Sequence, residues 1–214
     1  MSAADLLPLL RGLVWTIALT AGAFLIGAVL GVPLLIARRS RHRLVSFLAM
    51  IIIQIVRSIP PILWLFMIFF GIGMGIMPIS PFNAALLGLG MIAAANMAEI
   101  YRGAVASIHH GQWEAATALD LDRWSVFRDI VAPQAFRVAL PSAASYLIGL
   151  MKETAVASAI GVSELAYQGN QLSQLSYRGL QVFALVGMFY VLLSLPIAWL
   201  SRVADSYLMA KVAR

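Results

Sequence analysis

The stretch GLVWTIALTAGAFLIGAVLGVPLLIA, residues 12–37, carries no charge over 26 positions and runs straight into Arg38-Arg39-Ser40-Arg41-His42-Arg43. A helix that crosses a bilayer needs about 20 predominantly apolar residues. This run is long enough to cross. It is too long for the core of a cleaved leader, and its basic cluster follows the apolar part instead of preceding it. Residues 12–37 therefore read as a retained first membrane span.

The remainder of the chain has the same character. Of 214 residues, 62% are apolar and 11% charged, with a mean hydropathy of +0.91. Soluble domains carry roughly 45–50% apolar and about 25% charged residues. Too little charge is present to clothe a water-facing surface, so the fold class is an all-α integral membrane protein. Zero cysteines exclude disulfides, thiolate metal sites and cysteine nucleophiles.

Further runs give the other spans. Leu44 to Val56 is uncharged, Arg57 interrupts, and Ser58 to Ala98 is free of charge for 41 residues. That is too long for one helix, and Gly71, Gly73, Gly75, Pro78 and Pro81 cluster in its middle as turn chemistry. The sequence thus predicts spans at about 46–72 and 82–106, a fourth at 138–162 containing Lys152 and Glu153, and a fifth at 179–201, within one domain whose core is 12–205. With the N-terminus outside and the C-terminus cytoplasmic, the inner segments hold eleven of fifteen basic residues: Arg38, Arg39, Arg41, Arg43, Arg102, Arg123, Arg128, Arg137, Arg202, Lys211 and Arg214. Arg11 and Arg178 fall outside. This asymmetry follows the positive-inside rule. It accounts for the net charge of +6 and the pI near 10.2 without nucleic acid.

The longest connection, Ser107 to Phe136, lies on the basic side, where a long loop in a compact protein is folded or functional. Trp113-Glu114-Ala115-Ala116-Thr117-Ala118-Leu119 is helix-forming, with Glu114 expected in the first turn and Trp113, Ala116 and Leu119–Asp120 at helical spacing. Trp124, Phe127 and Ile130–Val131 continue an apolar face toward Pro133. Periodicity alone is equally satisfied by an amphipathic helix lying on the bilayer.

Gly111-Gln112-Trp113-Glu114-Ala115-Ala116, with Leu119 and then Phe127, Ile130, Pro133-Gln134-Ala135, Arg137 and Leu140-Pro141, resembles the EAA loop of ABC importer permeases, in particular the polar amino-acid branch. Other pieces match in order. Arg57-Ser58-Ile59-Pro60-Pro61 resembles that branch's RGTP element, and Ala98-Glu99-Ile100-Tyr101-Arg102-Gly103 its AEIFRGG. Lys152-Glu153-Thr154 is similar to KDTS, and Ile160-Gly161-Val162-Ser163-Glu164-Leu165 to IGVPEL.

The resemblance implies a type I importer permease in a bacterial inner membrane, paired with a second permease subunit. Two ATPases would sit on its cytoplasmic side, and an extracytoplasmic solute-binding protein would deliver an amino-acid-like substrate. It implies that residues 111–120 form a coupling helix, with Glu114, Ala115 and Ala116 against the ATPase and Gly111 starting the turn. Two positions depart from the family: Asp120 stands where glycine is usual, and Ser145 where asparagine is frequent. Asp tolerates the left-handed conformation glycine would take there, at a cost of order 1 kcal/mol. The chain has no Gly-x-x-x-x-Gly-Lys-[Ser/Thr] phosphate loop, so ATP and Mg would belong to the partner ATPase, with no cofactor or metal held by this chain.

Charges at membrane depth cost about 2.5–3.5 kcal/mol each on insertion scales and face protein or water. The expected substrate pathway is Arg57, Ser58, Asn96, Glu99, Ser145, Lys152, Glu153 and Thr154. Lys152 and Glu153 sit about 100° apart on a helix, so only one can face a given groove squarely. Glu153 shares a face with Tyr146 and Gly149. An ion pair locking span four to a neighbour is the competing role for Lys152 and Glu153. Glu99 with Arg102 suits a local anchor, and Arg57 beside Pro60-Pro61 suits capping of carbonyls those prolines free.

Gly27-x-x-x-Gly31 is a close-packing pattern. His109 and His110 have no further ligand-type residue at metal spacing and read as a solvated pair. Trp15, Trp64, Trp199, Tyr146 and Tyr190 read as packing or interface anchors. The alternatives are a methionine-type ABC permease and, from another class, an ATP-independent carrier or channel using Glu99, Glu153 or Glu164. No internal half-repeat supports the latter, and no catalytic constellation supports a membrane enzyme.

Overall fold

The computed structural model describes the backbone of residues 3–210 and the side chains of residues 6–206; Lys211 and Arg214 lie outside the described residues. All regular structure among them is helical. Helix α1 spans Ala3–Arg38, α2 Arg43–Ser58, α3 Pro61–Phe66 with a π-helical continuation Met67–Gly73, and α4 Pro81–Ala106. Helix α5 spans His110–Ala118, α6 Arg123–Ser125, a π segment Val126–Val131, α7 Ala132–Glu153, a 3-10 segment Thr154–Ile160, α8 Leu165–Ser176 and α9 Gly179–Ala210.

Three of these are long and apolar enough to cross a membrane, Leu6–Arg38, Pro81–Ala106 and Gly179–Ser206, and the pair Arg43–Ser58 and Pro61–Gly73 makes a fourth if its 98° bend is one broken span. Helix α7 has the length, at 22 residues, but not the apolarity. Gln134, Arg137, Ser142, Ser145, Lys152 and Glu153 dilute it, because it borders a polar interior and a loop. Span four also ends earlier than the expected 162. The α-helix stops at Glu153, tightens to 3-10 geometry through Ile160 and closes at Gly161 with φ +87°, a left-handed conformation glycine adopts without steric cost.

The bend between α2 and α3 follows from Pro60 and Pro61. Residues before proline are pushed to extended backbone, and Ile59 (ψ 129°) and Pro60 (ψ 140°) are both there. Pro60 has no N–H for the Val56 carbonyl four residues back. The Trp64 indole nitrogen supplies the missing donor, 3.1 Å from Val56 O. Capping of the freed carbonyl, expected of Arg57, thus belongs to Trp64, which is more than an interface anchor.

Helix α4 is the centre of the molecule, and α1 lies along it. Its buried face is built from Ala84, Ala85, Gly88, Gly90, Ala93, Ala94, Ala95 and Ala98, small residues that let helices approach. The Gly27/Gly31 pattern meets that face. A β-carbon at Gly31 would stand 2.8 Å from Met97 Cβ, and one at Gly27 would overlap Ala93. Tyr101 fixes the register by donating to Ala28 O at 3.2 Å. The main core joins Leu19, Ile53, Leu65, Leu89, Leu150 and Ile160 around α4. A second, smaller cluster of Leu9, Leu165, Val182 and Val186 holds α8 and α9 to the start of α1.

Candidate functional site

A cavity of about 590 Å³ opens where the α2–α3 break, the middle of α4 and the end of α7 meet, lined by Gln54, Arg57, Ser58, Asn96, Tyr146 and Glu153 among others. The broken span brings Arg57 and Ser58 to it. Arg57 Nε donates to Asn96 Oδ1 at 3.1 Å, and Asn96 Nδ2 donates to Ile92 O at 2.9 Å, which orients the guanidinium along α4. Arg57 and Glu153 bring opposite charges to one cavity, yet no ion pair within 4 Å joins them among the described residues. Glu153 Oε2 and Tyr146 Oη are buried with no hydrogen-bond partner. A buried polar atom left unmatched costs about 1–3 kcal/mol, and both of these atoms belong to residues that line the same cavity.

Four of the eight expected pathway residues line this cavity: Arg57, Ser58, Asn96 and Glu153. The other four do not. Glu99 pairs with Arg102, Oε2 to Nη2 at 2.8 Å. Lys152 and Ser145 are exposed, since the helix turns them away from the face that carries Glu153. Thr154 is fully buried and its hydroxyl donates to Met151 O at 2.7 Å, inside its own helix turn. Sequence reading placed Tyr146 beside Glu153 but took it for an anchor; its polar position one helical face from an intramembrane acid was the available signal.

The second site is the long connection. Helix α5 starts at His110, with His109 as N-cap, Nδ1 accepting from Gly111 N at 3.1 Å. Gly111 is therefore inside the helix and does not start it, and Glu114 lies beyond the first turn. The Glu114 carboxylate sits 2.9 Å from His110 Nδ1, and His109 and His110 are both exposed. Ala116 is 3% exposed and, with Trp113, faces Val126, Phe127 and Val131 across a shared cleft. The outer face is Gln112, Glu114, Ala115, Ala118 and Leu119. Ala116 thus packs the loop onto itself and is not part of the outer surface. Asp120 takes the left-handed conformation, φ 49°, the geometry expected of the glycine it replaces.

Asp122 then caps the next turn, its carboxylate accepting from Trp124 N (2.9 Å), Ser125 N (3.1 Å) and the Ser125 hydroxyl. Those hydrogen bonds, the Ser125 hydroxyl first, hold its carboxyl below the usual range. Gln112 and Gln134 meet at 3.4 Å, joining α5 to α7. From Arg123 to Glu153 the backbone is helical without interruption, so one rod leads from the loop to the cavity, with a π-helical stretch at its loop end.

A third polar centre was not foreseen as a unit. Glu164 is fully buried and caps α8, accepting from Ala166 N (3.0 Å), Tyr167 N (2.7 Å) and Tyr190 Oη (2.9 Å). Thr16 of α1 accepts from Leu165 N at 3.0 Å. Glu164 and Tyr190 together tie α8 to α9, and Thr16 adds α1. No group of three or more His, Cys, Asp or Glu suited to a metal occurs among the described residues.

Comparison with known proteins agrees with this architecture. The chain is 33% identical over 184 residues to the glutamine transport system permease protein GlnP of Escherichia coli (strain K12), covering 85% of this chain and 82% of that one. It is 32% identical over 210 residues to the nopaline transport system permease protein NocM of Agrobacterium fabrum, covering 94% and 87%. Among solved structures, a crystal structure of an amino acid ABC transporter with histidines superposes with a TM-score of 0.88 at 26% identity, covering 94% of each chain. An inward-facing MetNI methionine ABC transporter superposes at 0.81 with 27% identity, over 97% and 99%. Residues 23–208 match the family described as binding-protein-dependent transport system inner membrane component, and the chain belongs to that family.

Proposed function

We propose that this chain is the transmembrane subunit of an ATP-binding-cassette importer that carries polar amino acids or related amphoteric solutes into the cytoplasm by alternating access. The observation that carries the reading is the cavity in which Arg57, hydrogen-bonded to Asn96, and Glu153 stand without an ion-pair partner beside the unmatched Tyr146 hydroxyl. A zwitterion matches it: a carboxylate toward the guanidinium, an ammonium toward the Glu153 carboxylate. Each charge then finds in the substrate the partner it lacks in the protein, which is how intramembrane charges are retained. The relatives named for glutamine and nopaline transport support the substrate class.

In this reading the chain crosses a bacterial inner membrane five times, α7 being the fourth and least apolar span and α9 the fifth, with the N-terminus outside. A second permease subunit completes the pathway, and an extracytoplasmic binding protein delivers the solute. Two separate ATPase subunits bind and hydrolyse ATP with Mg. The outer face of α5, led by Glu114, Ala115 and Leu119, meets the ATPase, and closure of the ATPases is passed along the Arg123–Glu153 rod to the cavity. A π-helical segment often marks a functional site in a helix, and the one at Val126–Val131 lies where that push would enter. Glu99 and Glu164, the other acids offered for an ATP-independent carrier, are already hydrogen-bonded.

The experiment is ATP-dependent uptake of labelled polar amino acids by proteoliposomes holding the permease, its ATPase and its binding protein. Uptake requiring ATP and lost in Glu114→Arg, with the variant permease still folded, is expected. Uptake driven by a proton gradient with no ATPase present would contradict the reading.

A further inference from the structure

Behind α5, away from the outer face, lies a cleft of about 490 Å³ that the transport reading does not use. Two arginines reach it from segments distant in sequence: Arg41 from the α1–α2 connection and Arg123 from the start of α6. Neither has an ion-pair or hydrogen-bond partner among the described residues. No acid lines the cleft. Asp122, next to Arg123, is committed to Trp124 and Ser125. Apart from Thr117, whose hydroxyl donates to Trp113 O at 2.8 Å, the rest of the wall is apolar, including Trp113, Leu121, Phe127 and Val131. Arg41 stands three residues past Arg38, where the apolar helix α1 ends, a position at the level of lipid headgroups.

We propose that this cleft binds the phosphate of an anionic phospholipid from the leaflet facing the loop. The required guest is a phosphate-bearing anion with an adjoining apolar part. Arginine is suited to the anion because its planar guanidinium matches phosphate oxygens two at a time. The aromatic and aliphatic wall takes the glycerol and upper chain, which a free phosphate would leave empty. A lipid seated there bridges the α1–α2 connection to the buried side of α5 and sets how the loop rests against the membrane. The proposal stands on the cleft alone and is independent of which solute is carried.

The test is lipid retention by the purified full-length chain, delipidated in detergent and titrated with dioleoylphosphatidylglycerol or dioleoylphosphatidylcholine, with bound lipid counted by native mass spectrometry. The parent is expected to retain phosphatidylglycerol about thirtyfold more tightly, the effect of two arginines near a membrane surface. The double variant Arg41→Gln, Arg123→Gln should erase that preference, Arg41→Lys should keep much of it, and Arg43→Gln, at the start of α2 and outside the cleft, should leave it intact. Melting curves establish that each variant is folded. Equal retention of the two lipids by the parent, or an undiminished preference in the folded double variant, would overturn the proposal. So would displacement of the lipid by glycerol 3-phosphate at equal concentration, which would make a free anion the ligand.

Discussion

Glu153 and Glu164 are eleven residues apart, both largely withdrawn from solvent, and they have opposite fates. Glu164 is fully buried and meets three donors, from two α8 amides and from Tyr190. Glu153 borders a cavity, and its Oε2, like the nearby Tyr146 Oη, has no partner. The same chemistry is therefore satisfied within the fold in one place and left open beside a cavity in the other, and the number of donors already present separates them. An acid that the fold has satisfied holds helices together. An acid with an oxygen left unmatched beside a cavity is the one the proposed substrate would meet.

The contrast can be broken by substitution. The largest effect is expected for Glu164→Ala, which strands the Tyr190 hydroxyl and two amides. Unmatched buried groups cost about 1–3 kcal/mol each, and a net loss of about 3 kcal/mol in denaturation of the purified chain is expected. A melting temperature within about 1 °C of the parent would mean that the cluster is not structural. Glu153→Gln comes next and acts on a different readout. Uptake should fall at least tenfold, equivalent to about 1.4 kcal/mol, while the melting temperature does not fall.

Two tyrosines sharpen the same comparison at smaller amplitude. Tyr190→Phe removes a satisfied hydrogen bond and should cost about 1 kcal/mol in stability. Tyr146→Phe removes an unsatisfied hydroxyl and should be neutral or slightly stabilising, with its effect confined to transport affinity. Equal destabilisation by the pair would erase the distinction. Thr16→Val, which withdraws the acceptor for Leu165 N and a hydroxyl that also meets Glu164, is expected to match Tyr190→Phe at about 1 kcal/mol, measured by the same melting curves.

How far each region was legible in the sequence follows the range of its contacts. The first and last spans, the break at Pro60-Pro61 and the turn at Gly71–Pro81 rest on local composition and were readable. So were the α5 helix and the left-handed Asp120, whose hydrogen bonds stay within a few residues. The inward turn of Ala116 was not readable, because it depends on where Val126 and Val131 come to lie. The cavity was half legible. Helical spacing put Tyr146 with Glu153 and Glu99 with Arg102, but only the fold decides that Arg57 and Asn96 face the first pair. The Glu164 cluster was hidden for the same reason. Thr16 and Leu165 are 149 residues apart, and no local pattern announces that they meet.

Length sets one further limit on such reading. Residues 123–153 form one unbroken helical course, whereas apolar runs in the sequence suggested a loop to 136 and a span from 138. Mixed polarity along α7 obscured that continuity, since one part serves the loop and the other the cavity.

The most direct measurement is ATP-driven uptake by Glu153→Gln in proteoliposomes containing the complete complex, taken together with the melting temperature of the variant chain. The account predicts uptake reduced at least tenfold, about 1.4 kcal/mol, at an undiminished melting temperature. Uptake equal to the parent, or a loss of uptake that only accompanies a loss of stability like that of Glu164→Ala, would contradict it.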